Sequence, residues 1–356
     1  MLAVLSYNAL MLVADAAAVF QVWRFRNAVG LLAAAMFVGI LGVVAALAVG
    51  IEMLGSFFGV LALISHAVFG HVLLVLVASA YLLRRDARRL AIACAVAAVA
   101  IVLVGVDAFL IEPTWLEVNR YRIESPKLRA PLRIAVLADL QSDSIGAYER
   151  SVLERVMAEK PDMILLAGDY LQIDDPHEWL IQRDRLRALL AEVKFAAPLG
   201  VYAVAGNVDR ANWTEIFAGS SVESLAITRS IDLQRDDLRV TGLSMVDSFE
   251  PTLNIAESDR FHICLGHSPD FALGSVQADL LVAGHTHGGQ VRLPFFGPLV
   301  TFSRVPRHWA TGLNDLGGGR RLLVSRGVGM ERGHAPRLRF LCRPELVFLE
   351  LSPAGE

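Results

Sequence analysis

The chain holds 356 residues, room for more than one domain, and its mean hydropathy of +0.49, with 54% hydrophobic and 19% charged residues, is too oily for an ordinary soluble protein. A formal net charge of −3 gives no electrostatic footprint for nucleic acid. The three cysteines, Cys94, Cys264 and Cys342, are far apart with no C-x-x-C spacing; they suggest neither a disulfide framework nor a zinc knuckle, and leave only a single Cys264–Cys342 bridge open.

Four apolar stretches come first, at residues 2–23, 28–50, 57–83 and 90–111. Each reaches the ~20 residues that cross about 30 Å of hydrocarbon as a helix. The first lacks the basic start of a cleaved signal peptide, and further spans follow it. Arg24 and Arg26 lie between the first two stretches, and Arg84, Arg85, Arg88 and Arg89 between the last two; the turn between the second and third offers Glu52 and no Lys or Arg. The positive-inside rule makes both basic loops cytoplasmic and leaves both chain ends outside. Arg120, Arg122, Lys127 and Arg129 follow the fourth stretch, but they belong to a long domain, and long domains cross largely regardless of charge. Residues 1–112 therefore read as a multi-pass region of the cell membrane with an extracytoplasmic domain behind it. Asp15, His66, His71 and Asp107 inside the spans read mainly as polar contacts between helices, with a lipid or proton role the lesser alternative, because ionisable groups at that depth are costly.

Residues 113–130 read as a linker containing an edge strand, and residues 131–356 as a second domain. "PLRIAVLADL" is a short apolar strand ending on Asp139. The helical stretch "AYERSVLERVMAEK" follows, with Val152 and Val156, and Leu153 and Met157, at i, i+4 spacing, and Pro161 stops it. "DMILLAGD" is a near-continuous apolar strand ending on Asp169; a helix at about 176–194 leads to "GVYAVAGN", which ends on Asn207. "FHICLGH" ends on His267 and "DLLVAGH" on His285. This alternation predicts a buried, substantially parallel α/β core. After residue 290 the helices stop, and "VRLP", "RLLVSRG" and "RPELVFLEL" read as strands between Gly and Pro turns.

Five strands thus finish on polar, metal-competent side chains, with His287 two residues beyond the last. A carboxylate at a strand end is usually a helix cap, and a lone histidine is usually a satisfied surface or core residue. Six such groups at the strand ends, where open α/β sheets bind ligands, point instead to a site. Two carboxylates, an amide and three imidazoles can hold two divalent cations with one carboxylate bridging. The glycines of "AGHTHGGQ" let the backbone approach at turns that a side chain would block.

The segments "DLQ" (139–141), "GD" (168–169), "GNVD" (206–209), "GH" (266–267) and "GHTH" (284–287) resemble, in order, the motifs of the calcineurin-like metallophosphoesterases. The "GHTHGGQ" extension is similar to a membrane-linked bacterial subgroup. The resemblance covers residues 131–356 and implies a four-layer αββα sandwich that hydrolyses phosphoesters through metal-activated water. It assigns Asp139, Gln141, Asp169 and His287 to a first metal, and Asp169, Asn207, His267 and His285 to a second, with Asp169, Asn207, His285 and His287 closest to the chemistry. Two positions depart from the pattern. Gln141 stands where the family has histidine; its amide oxygen tilts the first site towards Mn²⁺ rather than Zn²⁺, and the two ions are expected to be Mn or Zn, with Fe an alternative. Val208 stands where the family has the histidine that assists the leaving group, a role worth about 10²–10⁴-fold. His308, His334 and Arg210 are candidate substitutes, or else surface residues and a local cap. The leading expectation is a membrane-anchored phosphohydrolase acting on a phosphorylated small molecule or a lipid-linked phosphoester or pyrophosphate, with no nucleic-acid partner. A degenerate fold acting as a scaffold is the rival reading, and a cytoplasmic domain would favour a nucleotide-linked acylglucosamine pyrophosphatase.

Overall fold

The computed structural model describes residues 2–235 and 237–355. They form two compact units, Met1–Leu110 with Gly333–Arg337, and Ile111–Arg332 with Leu338–Glu356.

The first unit contains α1 (Leu2–Phe25), α2 (Ala28–Leu54), α3 (Phe57–His66), α4 (Leu73–Leu83) and α5 (Arg88–Val106). A π-helical turn, Ala67–Val72, joins α3 to α4 in one continuous span, and a second, Asp107–Ile111, extends α5. Four helices are long and apolar enough to cross a membrane, at Leu2–Phe25, Ala28–Met53, Phe57–Leu83 and Arg88–Thr114. Small residues such as Ala18, Ala34 and Ala46 let the helices approach each other, while Leu32, Met36 and Ile40 point outward as lipid-facing side chains do. His71 is buried with Nδ1 2.7 Å from Asp15 Oδ2 and Nε2 3.0 Å from Asn8 Oδ1, so the polar groups at depth meet one another. Arg26 pairs with Asp86 at 2.5 Å, which puts the two arginine-bearing turns at the same end of the bundle.

The second unit carries β1 (Glu117–Ser125), β2 (Leu132–Leu137), α6 (Ala147–Ala158), β3 (Met163–Leu166), α7 (Pro176–Glu192), β4 (Val201–Ala203), β5 (Val222–Ser224), β6 (Arg229–Asp232) and β7 (Leu238–Gly242). It continues through α8 (Met245–Ser248), β8 (Asn254–Ile255), β9 (Phe261–Leu265), β10 (Ser275–Val276), β11 (Leu280–Ala283), β12 (Arg292–Leu293), β13 (Gly297–Pro298), β14 (Gly312–Gly317), β15 (Arg320–Val324) and β16 (Glu345–Pro353). Two six-stranded sheets result, in the orders β1-β16-β2-β3-β4-β5 and β14-β15-β11-β9-β7-β6. In the first, β2 to β5 are parallel, β16 is antiparallel to β2, and β1 is the edge strand, parallel to β16.

The strands read as continuous apolar runs because both of their faces are buried. Ile134, Val136, Met163 and Leu165 face the second sheet and meet Ile263, Leu265, Leu280 and Val282 there. Their alternates Ala135, Leu137, Ile164 and Leu166 face Val152, Val156, Trp179 and Leu186 of α6 and α7. α6 ends at Ala158, and Lys160, with φ +49, leads the chain into Pro161; α7 starts on Asp175, which accepts from Glu178 N at 2.8 Å, with Pro176 in the first turn. The outer face of the second sheet is covered by the 3-10 turn Pro269–Leu273 through Phe271 and Ala272. The four-layer αββα sandwich is present, with a thin fourth layer.

Two details differ from the sequence expectation. Cys264 and Cys342 are free and buried; Cys342 Sγ is spent on the carbonyl of His287 at 3.1 Å, so no Cys264–Cys342 bridge forms. "VRLP" contributes only the two residues of β12, paired with β13 in a ribbon outside both sheets, because Pro294 cannot extend the ladder.

Candidate metal centre

Because β2, β3 and β4 are parallel neighbours, the residues that leave their C-terminal ends lie in a row, bringing Asp139, Asp169 and Asn207 together. The parallel pair β9 and β11 does the same for His267 and His285 in the other sheet. The rings of His267 and His285 are 5.0 Å apart, and Phe249 packs edge-on against His285 at 4.9 Å. Oxygen and nitrogen atoms of Asp139, Asp169 and His267, all buried, lie within 4.8 Å of one another. Asp139, Gln141, Asp169, His285 and His287 all have left-handed backbones, with φ of +48, +37, +56, +68 and +48. Such geometry costs about 1–3 kcal/mol at a non-glycine residue and is characteristic of functional sites. Gly206 leaves the room this requires, since a Cβ there would stand 2.0 Å from Asp169 Oδ1.

The donor atoms ask for positive charge. His267 Nδ1 donates to the Ala167 carbonyl at 2.7 Å, which turns Nε2 towards two oxygens, Asn207 Oδ1 at 2.9 Å and Asp169 Oδ2 at 3.3 Å. A ring nitrogen facing two acceptors needs a cation or a proton between them. Although burial opposes it, the carboxylate of Asp169 drives the His267 imidazole towards protonation, to about 9. Burial in turn pushes Asp139 up to about 7, and His267, against burial, holds Asp169 below the usual carboxylate range. His285 Nε2 donates to the Phe302 carbonyl at 3.1 Å, which makes Nδ1 the ring nitrogen that can accept, and burial lowers the ring to about 4, neutral at physiological pH. Gln141 supplies the sharpest sign of an absent partner. Its Nε2 donates to Gln172 Oε1 and to Glu331 Oε2, each at 3.0 Å, while its buried Oε1 has no partner. A buried carbonyl fixed in this way is suited to accept a metal ion, and the residues fit a divalent-cation site.

Residues 132–289 match the calcineurin-like phosphoesterase family. Over 258 residues the chain is 32% identical to "Phosphodiesterase YaeI" of Escherichia coli, spanning 67% of this chain and 90% of that protein. The chain belongs to the calcineurin-like metallophosphoesterase family. Other family members are similar at lower identity: "Uncharacterized metallophosphoesterase YkuE" of Bacillus subtilis at 29%, covering 68% of this chain and 87% of the relative, and "UDP-2,3-diacylglucosamine pyrophosphatase LpxG" of Chlamydia trachomatis at 24%, covering 70% and 93%. The protein is thus a phosphoester hydrolase of a divalent-metal-dependent family.

Among the site residues expected from the sequence, Asp139, Asp169, Asn207 and His267 are in direct proximity, His285 flanks them, and Gln141 lies buried with its carbonyl free. His287 is buried beyond them with Nδ1 3.4 Å from Arg339, and burial, reinforced by that guanidinium, keeps it neutral. Val208 contributes its backbone, donating to Asp169 Oδ1 at 3.0 Å. Arg210 is a local cap: it donates to the carbonyls of Ile173 at 2.8 Å and Asp174 at 2.6 Å. Sequence reasoning did not single out Asp209, Gln172, Glu331 or Arg339. Asp209 accepts from the N–H groups of Asp169, Tyr170 and Gly206 at 2.8–2.9 Å and so holds the third and fourth strand ends together. Its place in "GNVD" was a usable signal; Gln172, Glu331 and Arg339 carried none.

Proposed function

We propose that this metallophosphoesterase is a membrane-anchored, dinuclear enzyme that hydrolyses a lipid-linked phosphoester or pyrophosphate of the cell envelope. The observation that carries the reading is the cluster of Asp139, Asp169, Asn207 and His267 around a ring nitrogen that needs a cation, beside the unpartnered Gln141 carbonyl. Asp139, Gln141, Asp169 and His287 would hold one cation, Mn²⁺ by the oxygen-rich donor set; Asp169, Asn207, His267 and His285 would hold the other, Zn²⁺ or Fe. The two ions, when bound, supply Lewis-acid activation of water and neutralise phosphoryl oxygens.

Val208 narrows the chemistry. With an apolar side chain at the position that faces the leaving group in relatives, no imidazole protonates the departing oxygen. An alkoxide leaving group suffers from that loss, and a phosphate leaving group does not, because it departs as a stable anion. A pyrophosphate bond therefore suits the site best. The relative named UDP-2,3-diacylglucosamine pyrophosphatase acts on a bond of that kind, and four apolar helices hold this chain at a bilayer.

We infer further that both arginine-bearing turns are cytoplasmic and that the hydrolase domain is extracytoplasmic. A reporter active only outside the cytoplasm, fused after the last residue, should be active. Activity of a cytoplasm-only reporter at the same place would reverse the orientation and favour a nucleotide-linked acylglucosamine substrate. The hydrolase reading itself is tested on full-length protein in detergent, reconstituted with Mn²⁺ or Zn²⁺ and given a phosphomonoester, a phosphodiester and a pyrophosphate-linked lipid. Turnover should be greatest on the last, and absence of turnover on all three refutes the reading.

A further inference from the structure

The loop that carries His285 and His287 runs directly into a surface the hydrolase chemistry does not explain. β12 and β13 form a small hairpin closed by a turn in which Phe296 N donates to Leu293 O at 3.2 Å. Pro294 occupies its second position, as in a type II turn, and the third position then requires a left-handed residue, normally Gly or Asn. Phe295 stands there with φ +66. An aromatic side chain is disfavoured at such a backbone, yet this one is fully exposed, at 110% of its reference area. Phe296, Leu299, Val300 and Phe302 around it are exposed as well. The Phe295 side chain at the tip is fully exposed, so the strained turn that carries it is not explained by core packing.

Along the chain its charges are one-sided, although buried Asp270 accepts from the Arg304 N–H at 2.8 Å and Glu250 interacts with the Arg304 charge. No Asp or Glu stands between residues 279 and 315, whereas Arg292, Arg304 and Arg307 lie within that stretch. None of the three makes a salt bridge among the described residues, and Arg304 and Arg307 are exposed. The guanidinium of Arg307 lies over the Phe296 ring at 4.7 Å, so cation and aromatic face share one surface. Aromatic and aliphatic side chains projecting from a rim of arginines are what a protein offers to an anionic bilayer: the apolar groups enter the headgroup–acyl boundary and the arginines meet phosphates. The patch is joined to the site, since Phe302 supplies the carbonyl that orients His285.

We propose that the Phe295–Phe296 hairpin docks on an anionic lipid surface and brings lipid-borne phosphates to the metal centre. A single strand of nucleic acid also meets aromatics and arginines, but the aliphatic Leu299 and Val300 offer it no stacking face, and the four apolar helices already hold this chain at a bilayer. The docking itself is independent of the hydrolase reading; only its catalytic consequence rests on that reading.

The experiment uses full-length protein in vesicles containing phosphatidylglycerol. The native cysteines are buried, so Phe295→Cys can be labelled selectively with a polarity-sensitive fluorophore, and Asp315→Cys, on an exposed hairpin, serves as the reference. Docking predicts a blue-shifted label at 295 that acyl-chain-brominated lipid quenches, with the label at 315 unaffected. No quenching at 295 overturns the proposal. So does a label at 295 shielded by cross-linking between copies or by an added oligonucleotide, which would assign the surface to self-association or to nucleic acid. In the second arm, Phe295→Asp should weaken use of a vesicle-borne lipid pyrophosphate about tenfold, from lost apolar insertion, and leave hydrolysis of bis(p-nitrophenyl) phosphate in solution unchanged. An equal loss on both substrates would overturn the substrate-delivery role. Failure of the unmodified protein to hydrolyse either substrate would refute the hydrolase reading, while quenching would still decide the docking.

Discussion

Replacing Glu331 with alanine tests how the first metal position works without its usual histidine. Glu331 accepts from Gln141 Nε2 at 3.0 Å and from Gln172 Nε2 at 2.7 Å, and Gln172 Oε1 takes a second bond from Gln141 Nε2 at 3.0 Å. With its nitrogen held by two acceptors, the Gln141 amide can only present Oε1 to the opposite side, where that atom is buried and unpartnered. Outer-shell partners that orient a ligand in this way are typically worth about 10–100-fold in metal affinity. Glu331→Ala removes one of the two restraints on Gln141, while Gln172, whose Oε1 still accepts from Arg332 N at 2.6 Å, keeps the other, so the lower end applies: about tenfold weaker binding at the first site, or about 1.4 kcal/mol. The proposed second site, assigned to His267, His285, Asn207 and Asp169, should change little. Burial raises the Glu331 carboxyl, which favours titrating on the alkaline side of neutral. The assay is Mn²⁺ titration of chelator-stripped, full-length protein in detergent, followed by electron paramagnetic resonance, with a melting curve to show that the variant is folded. Gln141→Ala should weaken the same site at least as much, and Gln141→His should restore it with a preference for Zn²⁺. Unchanged Mn²⁺ affinity in both alanine variants would refute the idea that the amide oxygen is a ligand.

Asp169→Ala should abolish hydrolysis and deplete both ions on elemental analysis, because that carboxylate lies against His267 and the Asn207 loop together; retained metal and activity would overturn the two-metal assignment. In metal-free protein His267 stands at about 9, above its usual value, so its stabilising contribution is complete below about pH 6.5 and is lost as pH rises through about 9. Metal uptake near pH 7 should accordingly release a proton, seen in calorimetry as buffer-dependent heat, with apparent affinity rising towards about pH 9. Val208→His leaves the backbone bond to Asp169 available and should raise turnover about tenfold on esters with poor leaving groups while changing pyrophosphate cleavage little, in a comparison of leaving groups. Gly206→Ala should cripple metal binding without touching a ligand, since its Cβ would stand 2.0 Å from Asp169 Oδ1, and metal content measured beside a melting curve checks this.

The strand ends were legible because buried parallel strands give continuous apolar runs, and each run here stops at a polar residue, preceded by glycine at Asp169, Asn207, His267 and His285. The helices after Asp139 and before Asn207 were legible from their periodicity and from Pro161 and Pro176. Strand order was not. β16 inserts between β1 and β2 from the far end of the chain, a long-range pairing without a local signal. β5 and β6 escaped notice for a different reason: these short strands carry Glu223, Arg229 and Asp232 and lack an apolar run. The Gln141–Gln172–Glu331 clamp spans 190 residues of sequence between its ends, and nothing local in "GMERGH" marks Glu331 as a partner of Gln141. The arginine–aromatic surface was missed because its members are spaced along an irregular segment, and only the exposed Phe295 turn shows that they share a face.

The two departures from the family pattern are of different kinds, and the backbone separates them. Gln141 retains the left-handed conformation found at Asp139, Asp169, His285 and His287, and it retains a buried oxygen with no other use. Left-handed backbones also occur at Lys160 and Lys194, so it is the coincidence of that conformation with the unpartnered Gln141 oxygen that supports a ligand role. Val208 has a backbone outside that strained set and gives Asp169 only an N–H, which any residue but proline could provide. On the proposed reading, position 141 would have changed its donor atom and position 208 would have lost proton transfer. A site altered in this way would keep its cations and lose reach towards leaving groups that must be protonated. On the proposed reading lipid pyrophosphates would remain accessible because their leaving group is already a stable anion, and the arginine-rimmed apolar hairpin joined to His285 would be the surface on which such a substrate arrives.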